Sequence, residues 1–117
     1  MAHTELKILK KRAEFLAVAA LRKRWVTPAF IVQVAPRKND PESCGYGLTA
    51  SKKMVGCAVN RNRAKRRLRA LMRDMLPRFS LAGHNLVIIA KEDILSCDYE
   101  QLRRDLRWAL KRLSLSS

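Results

Sequence analysis

The sequence predicts an α+β fold in which a small central β-sheet is covered by helices. Three segments of β-branched and apolar residues indicate strands, and three segments carry apolar residues at helical spacing. These elements follow the order helix, strand, strand, helix, strand, helix. Because the chain has 117 residues and is 48% hydrophobic, we expect a single domain over 1–117 with a substantial core, and flexible ends at 1–8 and 114–117.

The first half of the chain is predicted to hold one helix and two strands. Apolar residues share one face from about residue 11 to residue 22, which indicates the first helix. AFIVQVA, residues 29–35, is rich in β-branched residues and is typical of a strand. PRKNDPESCG, residues 36–45, is a polar loop, and a second strand follows in YGLTASKK from Tyr46.

The second half is predicted to hold a basic helix, a central strand and a final helix. MVGCAV, residues 54–59, leads into the basic helix, with Asn60 as its candidate N-cap and Pro77 as its end. LVIIA, residues 86–90, is a continuous apolar run suited to a central buried strand, and the connection is long enough for a parallel crossover. Asp98 is the expected cap of the last helix. That helix carries a core-facing stripe of Leu102, Leu106, Ala109, Leu110 and Leu113.

The charge of the chain points to a polyanionic partner. It has 25 Lys and Arg against 10 Asp and Glu, a net charge of +15 and a sequence pI near 10.8. A domain this basic attracts nucleic acid first, with an anionic membrane surface as the competitor. No stretch approaches the roughly 18–20 apolar residues of a membrane span, and FLAVAAL, residues 15–21, is interpreted as an amphipathic helix rather than a signal peptide.

The cysteine pattern favours a reducing compartment. Cys44, Cys57 and Cys97 are odd in number and widely spaced, and neither histidine has a second ligand nearby in sequence. This is not the spacing of a zinc site or of a disulfide framework. We therefore expect free thiols, a cytoplasmic protein and no metal ligands on the polypeptide.

The basic helix, VNRNRAKRRLRALMRD from Val59 to Asp74, carries the main functional signal. From Arg61 to Arg73, seven of thirteen residues are Lys or Arg and none is acidic. Like charges at i,i+4 spacing destabilise an isolated helix by about 0.2–0.5 kcal/mol per pair. An apolar stripe compensates by packing on the core, at about 1.5–3 kcal/mol per buried side chain. The stripe consists of Ala64, Leu68, Leu71, Met72 and Met75.

The helical wheel predicts two cationic surfaces on this helix. Lys65 and Arg69 flank the apolar stripe, beside the sheet, whereas Arg63, Arg66 and Arg67 point away from it. A solvated charged face normally mixes signs, so a run of cations without an acid favours phosphate binding.

The stretch GLTASKKMVGCAVNRNRAKRRLR, residues 47–69, resembles the signature of the bacterial ribonuclease P protein subunit. The similarity extends in order to KKRAEF at 10–15, FIVQV at 30–34 and LVIIAK at 86–91. The fixed positions of the RNRxKRxxR motif are filled by Arg61, Asn62, Arg63, Lys65, Arg66 and Arg69.

The resemblance implies a subunit of a ribonucleoprotein enzyme. In that family a catalytic RNA, using Mg²⁺, hydrolyses one phosphodiester to remove the 5′ leader of precursor tRNA. The protein then has no catalytic residues and no cofactor of its own. It binds the catalytic RNA, with a 1:1 ratio expected, and the leader. The resemblance also implies a left-handed strand–helix–strand crossover, against the usual right-handed rule.

The resemblance assigns side chains to two RNA surfaces. The surface for the catalytic RNA comprises Arg61, Asn62, Arg63, Arg66, Lys52 and Lys53. The cleft for the 5′ leader comprises Phe15, Phe30, Lys65, Arg69 and Lys91. A packing role stays open for Phe15 and Phe30, and a helix-capping role for Asn62. The family's second leader aromatic, one turn after Phe15, is here Ala19, and Trp108 in the last helix is expected to pack.

Rival functions remain to be separated by experiment. Composition alone fits a ribosomal protein, another structural RNA-binding protein or an RNA chaperone equally well. A DNA-binding recognition helix lacks an evident helix-turn-helix partner. Membrane-surface binding is disfavoured, because the apolar stripe of the basic helix is small and lacks Trp and Phe.

Overall fold

The protein has a five-stranded mixed sheet within the part that the structure, a computed structural model, describes: residues 5–21, 23–37, 40–79 and 81–113. The strand order is β1-β4-β5-β3-β2. β1 pairs parallel with β4 and β4 parallel with β5, whereas the β5–β3 and β3–β2 pairs are antiparallel. The strands are β1 Glu5–Ile8, β2 Arg24–Val26, β3 Phe30–Pro36, β4 Ser43–Thr49 and β5 His84–Ala90.

Four α-helices accompany the sheet, so the predicted α+β class is confirmed. They are α1 Arg12–Leu21, α2 Lys52–Val55, α3 Ala58–Met75 and α4 Tyr99–Arg112, with 3₁₀ turns at Leu76–Arg78 and Glu92–Leu95. The connection through α3 joins the parallel neighbours β4 and β5, as predicted. Its handedness stays a prediction of the resemblance.

Three short elements were not predicted. β1 and β2 are edge strands of four and three residues, and α2 is a single turn capped by Ser51, whose hydroxyl accepts from the Met54 amide at 3.2 Å. Residues 5–8, part of the N-terminal end that was expected to be flexible, form β1. The rest of that end, 1–4, and the C-terminal end, 114–117, lie outside the described residues.

The main core lies between the sheet and the pair α3 and α4, on what we call the closed face of the sheet. Phe30, Val32 and Val34 of β3 point into it, together with Leu86 and Ile88 of β5. Both predicted helical stripes are confirmed: Ala64, Leu68, Leu71, Met72, Met75, Leu102, Leu106, Ala109 and Leu110 are 0% exposed, and Leu113 is 5% exposed. This burial holds the self-repelling basic helix in place.

The opposite surface of the sheet, which we call the open face, is covered by α1 over β3 and β5. Its cluster is small and consists of Leu9, Val18, Ala35 and Val87, with Phe15 and Ile89 partly buried against it. Phe15 reaches across to β4, where Gly47 lacks a side chain: a Cβ there would lie 2.5 Å from the Phe15 ring. Glycine therefore lets this ring rest directly on the sheet.

The ends of α3 differ from the prediction. Cys57, not Asn60, occupies the N-cap position, and Asn60 lies inside the first turn. The helix ends at Met75, and Pro77 lies in the 3₁₀ turn that follows, so the predicted helix end is close. Asp98 precedes α4 at the N-cap, as predicted, but its side chain makes no capping hydrogen bond.

Candidate nucleic-acid interface

The side of α3 that faces α4 is held by Arg67. Its Nη1 donates to the Ile94 carbonyl and its Nη2 to the Cys97 carbonyl, both at 2.7 Å. The wheel predicted an outward Arg67, and this is wrong: the guanidinium satisfies backbone carbonyls in the segment that leads into α4. One of the seven cations in the basic run is therefore structural.

The only acidic residue of α3, Asp74, is also engaged with neighbouring cations and with α4. Its carboxylate lies 3.3 Å from the Arg103 Nε and 3.1 Å from the Arg78 Nη2, and it accepts a hydrogen bond from the Tyr99 hydroxyl at 3.2 Å. Burial, followed by the hydrogen bond to this carboxylate, raises the pKa of Tyr99. Asp74 thus joins the two helices and leaves the remaining cations of α3 without an acidic neighbour on their own helix.

The flank of α3 turned away from α4 carries a second cationic row. Since α4 packs beside β2, this flank points toward the β1 side of the sheet. Lys65 and Arg69 lie on it, as predicted, at i,i+4 spacing. Arg61, which the resemblance assigned to the surface for the catalytic RNA, falls on the same flank. It is half-buried, and its Nε is buried without a hydrogen-bond partner among the described residues.

The outer surface of α3 carries three of the predicted RNA-binding side chains. Asn62, Arg63 and Arg66 are exposed. Arg63 and Arg66 line a groove between α3 and α4, together with Arg67, Ala70 and Tyr99. We call this surface, Asn62, Arg63 and Arg66, the outer α3 surface.

Lys52 and Lys53 are both exposed on α2. The structure brings Lys53 together with Lys91, although the sequence placed them on different surfaces. Both line one groove with Pro28, and the Lys91 Nζ donates to the Thr27 carbonyl at 3.2 Å. Glu92 and Asp93 also line this groove, so its charge is mixed.

The open face carries the predicted aromatic, Phe15, beside cations that sequence reasoning missed. Phe15 is partly exposed and lines a groove with Lys10, Arg12, Leu16 and Thr49. Leu16 is 56% exposed. The KKR run at 10–12 was the available signal for these cations. The groove lining does not include Lys65, Arg69 or Lys91.

Phe30 must be withdrawn from the leader cleft. It is 0% exposed and belongs to the main core on the closed face, on the opposite side of the sheet from Phe15. The packing alternative, which the sequence had left open, applies to this residue. The predicted leader set is therefore divided among the open face, the flank of α3 and the groove at Lys91.

Two kinds of feature are absent from the described ranges. No helix there is long and apolar enough to cross a membrane. No group of three or more His, Cys, Asp or Glu side chains converges there in a way that could hold a metal ion.

Comparison with known sequences finds one family over nearly the whole chain. The family model described as Ribonuclease P matches residues 4–114. A ribonuclease P protein component from Paramagnetospirillum magneticum is 45% identical over 108 residues, covering 90% of this chain and 80% of the relative. One from Erythrobacter litoralis is 40% identical over 105 residues, covering 90% and 84%.

Solved structures share the fold. The RNase P protein from Thermotoga maritima is 25% identical with a TM-score of 0.73, covering 91% of this chain and 96% of that one. The RNase P protein from Staphylococcus aureus is 24% identical with a TM-score of 0.72, covering 94% and 97%, and that likeness concerns the fold alone.

Proposed function

The chain belongs to the ribonuclease P protein family and is the RNA-binding protein subunit of ribonuclease P, and we propose that it uses opposite sides of its sheet for two different RNAs. In this proposal the outer α3 surface binds the catalytic RNA, and the open face receives the 5′ leader of precursor tRNA. The division rests on one observation: exposed cations lie on the helices of the closed face, whereas the partly exposed Phe15 lies on the other side of the sheet.

Charge supports docking of the catalytic RNA on α3. Asn62, Arg63 and Arg66 are exposed, and none of them takes part in the four ion pairs found among the described residues. Guanidinium groups bind phosphate oxygens in bidentate geometry, which suits successive phosphates of an RNA backbone. The adjoining groove between α3 and α4 gives that backbone a path along the protein.

Geometry supports the leader on the open face. Phe15 packs closely against Gly47, and Lys10 and Arg12 line the same groove. Single-stranded RNA is commonly held by base stacking on aromatic rings combined with cations along the backbone. Arg61, Lys65 and Arg69 lie on the flank of α3 toward β1, apart from this groove. Lys53 with Lys91 provides a separate and more weakly cationic contact.

The polypeptide supplies position and charge, and the catalytic RNA with its Mg²⁺ performs the hydrolysis. Fixing both RNAs on one rigid sheet orders the leader relative to the catalytic RNA and lowers the entropic cost of binding the substrate. We propose one protein per catalytic RNA, acting in the cytoplasm.

Reconstitution tests the function as a whole. The protein is added to a bacterial ribonuclease P RNA at low magnesium, and leader removal from precursor tRNA is followed. We expect faster cleavage and tighter precursor binding than with the RNA alone. Cleavage by the polypeptide without RNA, or no stimulation at all, would favour an RNA-binding protein outside tRNA processing.

Two variants test the division between surfaces. Arg63→Ala with Arg66→Ala should weaken binding to the catalytic RNA and reduce its log–log salt slope by roughly 0.7–0.9 for each lost contact. Lys23→Ala with Arg24→Ala, two exposed cations at the β2 edge, is the matched control.

Phe15→Ala should weaken binding of precursor tRNA with a leader by roughly tenfold and leave binding of mature tRNA unchanged. Equal losses for both tRNAs would refute the leader assignment.

A further inference from the structure

The outer surface of α4 carries a second cationic helix face, which the proposed function does not use. At about 100° per residue, seven exposed side chains share an arc of about 140° opposite the buried stripe, with Glu100 and Gln101 in the first turn and five others from Arg104 onward. No acidic residue occurs from Leu106 to Arg112, and the one ion pair among the described residues that involves this arc is that of Glu100 with Arg103, at its N-terminal end. The cationic part of the arc, which carries the inference, consists of Arg104, Arg107, Trp108, Lys111 and Arg112.

Two tryptophans fix one of these cations. The Arg112 guanidinium carbon lies 5.2 Å from the centre of the Trp25 ring and 5.6 Å from that of Trp108. Trp25 comes from β2 and is half-buried against the main core. Trp108, which the sequence predicted to pack, is instead 52% exposed. An indole anchored by a cation on one side and open to solvent is suited to stacking with an unpaired base.

The position of this surface indicates which RNA it meets. α4 lies beside α3 on the closed face, and the groove lined by Arg63, Arg66 and Tyr99 joins the two helices. The leader groove at Phe15 lies on the opposite side of the sheet. A second copy of this chain, with a net charge of +15, would be repelled by a cationic arc.

We propose that the outer face of α4 is an additional contact for the catalytic RNA, in which an unpaired base stacks on Trp108 and neighbouring phosphates meet Arg104, Arg107 and Lys111. This inference rests on the proposed function for the identity of the RNA. Favourable interaction with the helix dipole accounts for Lys111 and Arg112 in the last turn. It does not account for Arg104, or for an indole that leaves half of its surface in water.

Equilibrium binding to ribonuclease P RNA, without tRNA, tests the proposal. Trp108→Ala should weaken binding roughly tenfold, whereas Trp108→Phe, which keeps an aromatic face, should stay within about threefold of wild type. Arg107→Ala with Lys111→Ala should lower the log–log salt slope by roughly 1.4–1.8. Val26→Ala, which truncates another exposed apolar residue of the β2 region, is the control and should bind like wild type.

The outcomes separate this inference from the proposed function. If wild-type protein binds the RNA and Trp108→Ala binds equally well with an unchanged unfolding midpoint, the α4 contact is refuted and the proposed function stands. A loss seen only with leader-bearing precursor would also refute the assignment to the catalytic RNA. If wild-type protein does not bind the RNA, the proposed function fails and this inference fails with it. A loss for Trp108→Ala that Trp108→Phe restores supports the contact.

Discussion

The two faces of the sheet differ in how completely they are covered. The closed face packs against α3 and α4, and its core contains many side chains that are fully buried. The open face packs against α1, and its cluster has four buried members. Stability is thus concentrated on the face whose outer helices carry the most positive charge. The open face has less buried core and keeps an aromatic ring and cations accessible. One side of the sheet therefore provides most of the stability, and the other side leaves a groove free for binding.

Truncating one core residue on each face gives the largest expected difference. Leu68→Ala, on the closed face, should lower the free energy of unfolding by about 2–5 kcal/mol, because its cavity lies among fully buried neighbours. Val18→Ala, on the open face, should cost roughly 1.5 kcal/mol, at about 0.8 kcal/mol per lost methylene equivalent. Denaturant unfolding measures both, and Leu16→Ala is the exposed control. Equal losses at Leu68 and Val18 would contradict the comparison.

Two adjacent arginines on α3 sharpen the separation of structure from binding. Arg67→Ala should lower the free energy of unfolding by about 1–3 kcal/mol, since the partly buried carbonyls of Ile94 and Cys97 lose a charged hydrogen-bond donor. Arg66→Ala should change it by less than about 0.5 kcal/mol, because the side chain is exposed. Unfolding curves of the two variants, recorded without RNA, test this. Indistinguishable curves would show that the Arg67 hydrogen bonds do not stabilise α3.

Gly47 tests how closely Phe15 is seated on the open face. Gly47→Ala should lower the free energy of unfolding by roughly 1 kcal/mol, because the new methyl group would lie 2.5 Å from the ring and displace it. The cost should largely vanish in a Phe15→Ala background. The double-mutant cycle measures this coupling. An undiminished cost would place the strain elsewhere, for example at Leu9, whose Cβ is 3.4 Å from the added atom.

The smallest expected effect concerns the accessibility of the thiols, which cysteine labelling measures without a change in the free energy of unfolding. Cys44 is buried on the closed face, and burial raises its pKa to about 12, so roughly one thiol in 10⁴ is ionised at pH 8. Cys57 is exposed at the start of α3. Iodoacetamide at pH 8 should modify Cys57 in the native protein and Cys44 after denaturation alone. Rapid native labelling of Cys44 would mean that the closed face opens locally.

The amphipathic helices and the central strands could be predicted because their own residues carry the signal. The stripes of α3 and α4 and the apolar run of β5 follow from spacing within each segment. β1 and β2 could not be found in this way, because four or three residues are too few to show a pattern and become strands only by pairing. β1 pairs with β4, which is distant in sequence, and β2 pairs with the adjacent β3.

The sequence predicted which segment of the candidate site carries the cations, but it predicted less well the directions in which individual side chains point. The basic run correctly indicated α3, but the wheel placed Arg67 outward because it did not include the carbonyls of Ile94 and Cys97 from a later segment. Phe30 resembled a binding aromatic until the side of the sheet was known. The face of α4 with Trp108 was overlooked because its clear apolar stripe accounted for the helix.

Because Trp25 and Trp108 both contact Arg112, the tryptophan fluorescence of the protein reports on this one corner of the molecule. These are the only two tryptophans of the chain, so all indole emission comes from the junction of β2 and α4. The intensity of tryptophan emission should therefore change when a ligand binds at that junction, and should change little when a ligand binds beside Gly47 on the open face. An extrinsic dye on Cys57 would supply a second channel, at the start of the basic helix.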